Sequence, residues 1–286
     1  MLGDRLQPAD LEQLRDRRWD FVVDTWAGAP KAAEDSAAAL TGRVERYLYV
    51  SSGSVYAKPL PLGVEESSPV VDPGEGDYAA RKRGSEVALE AAFADRALFA
   101  RAGTILGPHE NVGRLPWWLL RMARGGEVLA PAPPDLTLQY IDARDLAVWL
   151  LDAAAAGLGG PFNTVSRTGH ATMGSLLEAC RSATGGEAEL IWLDPAFIQE
   201  SGIEPWDELP IWLPANHESR GMHEANVERA HAAGLRCRSL EETVRDTWDW
   251  LQSERFEPPP RLDAEKERAV LAAWARRGPA RTSTAG

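Results

Sequence analysis

Tyr47-Leu48-Tyr49-Val50-Ser51-Ser52-Gly53-Ser54-Val55-Tyr56, followed by Asp77-Tyr78-Ala79-Ala80-Arg81-Lys82, are the segments that decide the fold. The first is an aromatic and β-branched run that stops at small hydroxyl residues, the pattern of a strand opening into a turn. Ligands in open α/β sheets bind at such carboxyl ends. In the second segment Tyr78 and Lys82 stand at i and i+4, so both project from one helical face. A phenol with a pKa of about 10 exchanges protons poorly near neutrality. A nearby ammonium stabilises the phenolate and brings it toward the working range. Ser52 is placed to hydrogen-bond a reacting hydroxyl or carbonyl and hold it against Tyr78.

The same alternation extends in both directions. Phe21-Val22-Val23-Asp24 is a compact apolar run, then a small-residue turn leads to an Ala-rich helix from about Lys31 to Leu40. A long helix is expected from Asp77 to Phe93, and Ala97-Leu98-Phe99-Ala100 is the next strand. Gln139-Tyr140-Ile141-Asp142 leads into a helix from Ala143 to Ala156. Phe162–Val165 and Leu190–Leu193 are further strands, with a helix at Thr172–Thr184 between them. Strands separated by helices of this length require crossover connections, hence a parallel sheet covered on both faces. Ser239-Leu240-Glu241-Glu242 is a capping box that opens an amphipathic helix. Arg261–Arg277 is expected to form a terminal helix, and 278–286 a disordered tail. The fold class is therefore α/β, a doubly wound Rossmann-type sheet. Residues 1–105 form a partial dinucleotide-binding domain, and 106–277 are mostly a substrate lobe with returning sheet elements.

Composition narrows the function. The net charge of −12 disfavours nucleic acid and anionic membranes as partners. Two cysteines, Cys180 and Cys237, are too few for a disulfide framework and fit a reducing cytoplasm. No signal-peptide core opens the chain, and the most apolar run, Leu146–Gly160, is interrupted by Asp152 and too short to span a bilayer. The expectation is a soluble protein. His217, His223 and His231, near Glu218 and Glu224, match no zinc spacing and are expected as solvated helix or loop residues, with no metal. Trp206, Trp212 and the segment Glu208–Pro214 are candidates to line a substrate pocket.

A strand ending Ser-Ser-x-x-Val-Tyr, with Tyr-x-x-x-Lys one crossover later, resembles the active site of the extended short-chain dehydrogenase/reductases, the NAD-dependent epimerase/dehydratase family. The resemblance implies a catalytic hydroxyl on Ser52, an acid/base on Tyr78, and on Lys82 a cation that also meets the nicotinamide ribose. Gly3-Asp4 resembles the family's Gly-Asp at the end of its third strand, which places Asp4 by the adenine. Val22 to Gly28 resembles its fourth strand and the turn over the cofactor, giving Trp26, Ala27 and Gly28 as cofactor contacts. Arg101-Ala102-Gly103-Thr104-Ile105-Leu106-Gly107-Pro108 is similar to the segment lining nicotinamide and substrate. It implies Ala102 and Gly103 at the cofactor, with Thr104 and, from the earlier turn, Ser54 at the substrate. Gln139–Ala147 is similar to a later strand-to-helix turn.

By this resemblance the chain acts with NAD or NADP as an epimerase, dehydratase or reductase on a sugar nucleotide or small carbonyl compound. A homodimer through the helix bearing Tyr78 is also implied. One departure is large. The family opens with a strand, a Gly-x-x-Gly-x-x-Gly turn and a helix facing the pyrophosphate. Here Met1 falls where the third strand should be ending. Gly125-Gly126, Gly159-Gly160 and Gly185-Gly186 lack the strand-turn-helix context. The expectation is that the first two strands are missing and that the fourth exposes an apolar edge. A catalytically dead remnant and a non-enzymatic binding protein remain the alternatives.

Overall fold

The computed structural model describes residues 2–277; the expected tail at 278–286 lies outside them. The chain divides into two compact units. The first comprises Met1–Ile105, Gln139–Thr168 and Glu218–Cys237; the second comprises Leu106–Leu138, Gly169–His217 and Arg238–Gly286.

The first unit is built on a four-stranded parallel sheet in the order Trp19–Asp24, Val44–Ser52, Ala97–Ala102, Gly160–Thr164. Period-two alternation sorts its side chains between two helical layers. Tyr47, Tyr49, Ala97 and Phe99 pack with Ala33, Ala37 and Leu40 of the Lys31–Leu40 helix and with Leu89 and Phe93 of the Tyr78–Phe93 helix. Leu48, Leu98, Ala100 and Phe162 face the other way, onto Leu146, Trp149, Leu150 and Ala153 of the Ala143–Ala155 helix.

Helix starts follow local chemistry. Asp77 caps the Tyr78–Phe93 helix by accepting from the Ala80 N–H at 2.9 Å, and Asp142 caps Ala143–Ala155 by accepting from the Arg144 N–H at 2.9 Å. The expected apolar edge is present. Trp19–Asp24 is a terminal strand of the sheet, and Phe21 and Val23 are 37% and 41% exposed.

The second unit pairs Gly126–Pro131 in parallel with Ala188–Leu193, and Thr137–Leu138 antiparallel with Ala171–Thr172. The helices Arg114–Ala123, Met173–Ala183, Leu240–Ser253 and Ala264–Arg276 belong to it. The Gly126–Pro131 strand was not legible, because it opens on a Gly-Gly pair and closes on a proline, both poor strand formers. Trp212 is fully buried core in this unit. Trp206 is half-buried, with the Arg114 guanidinium 5.3 Å above its ring.

Two further expectations change. Asp4 stands in a turn ahead of the short Pro8–Leu11 helix, not at a strand end, and its carboxylate accepts from the Leu6 N–H at 2.9 Å. His223 is fully buried, its Nδ1 3.2 Å from the Gln139 backbone nitrogen, rather than solvated. Among the described residues no cluster of histidine, cysteine and carboxylates could hold a metal ion, and no helix is long and apolar enough to cross a membrane.

Candidate active site

The sheet of the first unit brings Ser52, Tyr78 and Lys82 to one end. Ser52 closes the Val44–Ser52 strand, where the chain turns through the short helical segment Gly53–Val55. Its buried Oγ accepts from the Ser54 N–H and lies within hydrogen-bond distance of Ser54 Oγ, both at 3.1 Å. Ser54, half-buried, thus belongs to the same turn. Tyr78 is the first residue of its helix and is 43% exposed, so its phenol is open to a ligand.

Lys82, one turn along the same helix, is only 2% exposed. Its Nζ donates to the carbonyls of Trp26 and Val50, each at 2.6 Å, which leaves one N–H of its three. The ammonium lies 4.3 Å from the Tyr49 ring centroid and 6.0 Å from that of Tyr78. Burial pushes the Lys82 pKa down to about 8, against the opposing pull of the Asp24 and Glu86 charges. A cation buried this deeply, with one donor to spare beside an exposed phenol, can steady a phenolate or hold a hydroxyl.

The other candidates gather around this core. Trp26, Ala27 and Gly28 form the turn after the edge strand, and the Trp26 carbonyl is one of the two holding Lys82. The indole of Trp26 folds back on the turn. Its Nε1 donates to the Ala29 carbonyl at 2.9 Å, and a Cβ on Gly28 would come within 2.3 Å of the ring. The small residue at Gly28 is therefore required by Trp26 itself. Ala102 ends the Ala97–Ala102 strand, and Gly103 packs so closely on Val165 that a Cβ would meet its Cγ2 at 2.6 Å. Thr104 is buried, with its hydroxyl unpartnered among the described residues. Asp4 makes local bonds, to Asp10 and Leu6; its neighbour Arg5 reaches the strand terminus, through an ion pair with Asp24.

A polar network that the sequence did not announce backs the site. Glu86, fully buried one turn beyond Lys82, accepts from Ser51 Oγ at 2.7 Å and from Arg101 Nε and Nη2 at 3.0 and 2.9 Å. Arg83 Nη1 adds a fourth donor at 3.0 Å. Burial alone would lower the Arg101 pKa, yet the bonds and charge of Glu86 raise it above the ordinary arginine value. This carboxylate ties together the strand ends that carry Ser52 and Ala102 and the helix that carries Tyr78. The 78–82–86 spacing is its sequence signal, since residues four apart share a face.

The arrangement bears unequally on a nicotinamide dinucleotide. Lys82 keeps one N–H and Tyr78 an exposed phenol, groups able to meet ribose hydroxyls. Among the described residues no Gly-rich strand-turn-helix offers N–H groups to a pyrophosphate, and the Lys31–Leu40 helix, the first to follow a sheet strand, begins after Pro30 without a side-chain cap.

Comparison with solved structures finds this fold in proteins that include epimerases. An epimerase-like protein from Burkholderia cenocepacia superposes with a TM-score of 0.67 at 20% identity, covering 89% of this chain and 83% of that one. RMD from Pseudomonas aeruginosa, solved with NADPH, gives 0.64 at 18% identity, covering 88% of each. The UDP-glucose 4-epimerase of Thermotoga maritima, solved with UDP-glucose, gives 0.64 at 17%, covering 88% of this chain and 83% of that one. At these identities the likeness is one of fold. No curated protein matches the chain. The model of the NAD dependent epimerase/dehydratase family matches residues 15–164, more than half of the chain and every strand of the four-stranded sheet, and the protein belongs to that family.

Proposed function

We propose that this protein is an NAD(P)-dependent epimerase, dehydratase or reductase acting on a sugar nucleotide or a small carbonyl compound. The observation that carries the proposal is Lys82, buried to 2% exposure with its ammonium fixed by two carbonyls below the exposed Tyr78. Tyr78 Oη takes a proton from, or returns one to, the substrate oxygen. Lys82 stabilises the phenolate and gives its remaining N–H to a ribose hydroxyl. Ser52 orients the reacting oxygen, and Ser54 and Thr104 flank the substrate. The Trp26-Ala27-Gly28 turn and Ala102-Gly103 border the nicotinamide end. The nicotinamide, when bound, supplies the hydride acceptor and donor.

NADPH in the Pseudomonas aeruginosa neighbour and UDP-glucose in the Thermotoga maritima epimerase support these cofactor and substrate classes. The two free thiols, Cys180 and Cys237, suit a cytoplasmic enzyme.

The test is calorimetric titration with NAD⁺, NADH, NADP⁺ and NADPH, followed by turnover assays with UDP-sugars and their keto forms. Saturable binding of one cofactor is expected. Tyr78→Phe should keep that affinity and lose turnover at least about 100-fold, the usual yield of a positioned acid/base. A folded chain that binds none of the four cofactors, or a Tyr78→Phe protein with full turnover, overturns the reading.

A further inference from the structure

Lys82 owes its place to a chain of contacts that starts far from it in sequence. The Trp26 carbonyl accepts from Lys82 Nζ at 2.6 Å and from Tyr49 Oη at 2.8 Å. The residue bearing that carbonyl is itself held, because Asp24 Oδ1 accepts from the Trp26 N–H at 2.9 Å. Asp24 is buried and gripped in turn. Arg5 Nη1 and Nη2 donate to its two oxygens at 2.7 and 3.0 Å, and Tyr47 Oη donates to Oδ2 at 2.5 Å. Arg5 also reaches Ser36 Oγ at 3.0 Å, and its guanidinium stands 4.8 Å over the Trp26 ring. The N-terminal segment, the edge strand and the Lys31–Leu40 helix thus converge on Asp24 and Trp26.

We propose that Asp24, held by Arg5 and Tyr47, is a positioning residue for Lys82: through the Trp26 N–H it fixes the residue whose carbonyl places the ammonium. The proposal rests on the reading of Lys82 as the cation of the site. The groups facing Lys82 are Asp24 at the end of the edge strand, Tyr49 on the next strand, Tyr78 and Glu86 on its own helix, and Arg5 from the N-terminal segment. Burial lowers its pKa to about 8, Asp24 and then Glu86 oppose this, and Arg5 adds to it. Removing the charge of Asp24 and removing that of Arg5 must therefore shift Lys82 in opposite directions. A residue that merely braced the strand end would produce no such pair.

The chain contains four lysines, Lys31, Lys58, Lys82 and Lys266. Protein labelled with ¹³Cε-lysine therefore yields four signals, assigned by single Lys→Arg replacements and followed against pH by NMR. Asp24→Asn is expected to lower the Lys82 midpoint by about one pH unit, the scale of losing a nearby opposite charge. Arg5→Gln is expected to raise it by a smaller amount. A folded Asp24→Asn protein whose Lys82 midpoint is unchanged or higher overturns the proposal. Should Asp24→Asn not fold, Arg5→Gln decides alone, and an unchanged or lower midpoint there overturns it. The titration uses neither cofactor nor substrate. A chain that binds no cofactor can still show the paired shifts, and one that binds cofactor without them loses only the role of Asp24.

Discussion

Two parallel strands of one sheet, Ala97–Ala102 and Trp19–Asp24, solve the same problem differently. Ala97–Ala102 has a strand on each side and every residue buried. It nevertheless carries a charge, Arg101, which is matched by Glu86, by the Glu66 carbonyl at 3.1 Å and by the Tyr56 ring at 4.9 Å. Trp19–Asp24 has one neighbour. Val22 and Asp24 register with Tyr47 and Tyr49 and share their covered face, whereas Val23 registers with Leu48 on the opposite face and is left partly in solvent beside Phe21. Each strand carries a charged residue at or next to its carboxyl end, Arg101 one position before Ala102 and Asp24 before the Trp26 turn. The inner strand is fixed by packing plus a neutralised charge. The outer strand, with less to pack against, is fixed at its working end by the grip of Arg5 and Tyr47 on Asp24. Burial of an ionised group therefore follows from partners at hand, and exposure of an apolar one from the lack of a cover.

The comparison breaks most visibly at Glu86. Replacing it by Ala strips Arg101 and Arg83 of their carboxylate and Ser51 of its acceptor, leaving buried charge unpaired. Loss of one partner of a buried pair costs about 3–5 kcal/mol. Urea denaturation of Glu86→Ala should show a loss on this scale. A loss well below it would mean that packing alone holds the inner strand.

Much of this was written in local sequence, and the limits follow from range. The alternation of strands and helices, the shared face of Tyr78 and Lys82 and the cap at Ser239 depend on residues a few positions apart, and the structure has them. The exposed edge could be anticipated too, from the apolar run that holds Phe21 and Val23. Arg5–Asp24 and Glu86–Arg101 could not, because each joins residues brought together only by the finished sheet. His223 was misjudged for the same reason. A lone histidine near carboxylates reads as solvated until Gln139, distant in sequence, is seen against its Nδ1. The candidate residues from Ser52 through Lys82 are legible as a motif; the groups that set their geometry are not.

A smaller effect sharpens the contrast through pH. Burial pushes the Lys82 pKa down to about 8 in the folded chain, from the 10.5 of an ordinary lysine. Below pH 8 both states hold the proton and burial of the cation costs stability. Above 8 the folded state releases it first, so the unfolded state binds more protons and folding stability rises with pH. The thiols of Cys180 and Cys237, raised by burial, reverse the trend above about 9. Between pH 8 and 9 the native chain should therefore gain about 1 kcal/mol relative to Lys82→Met, read from denaturation curves of the two proteins at each pH. Parallel curves would mean that Lys82 keeps an ordinary pKa and is not the desolvated cation inferred from its burial.

The least effect is expected at the edge. Val23 is 41% exposed, so exchanging it for Lys removes few contacts and should change the free energy of unfolding by no more than about 0.5 kcal/mol. It does place a charge on the free edge of a parallel sheet, where unpaired N–H and C=O groups template association with another chain. Val23→Lys should therefore suppress concentration-dependent association in light scattering while leaving the fold intact. Leu48, its register partner on the covered strand, is the counterpart: buried to 1% exposure, it would not accept a charge without unfolding the sheet. If Val23→Lys destabilises the chain as a core substitution does, the outer face of the edge strand is covered in solution. The exposure of Phe21 and Val23 would then belong to the isolated chain and not to the protein as it assembles.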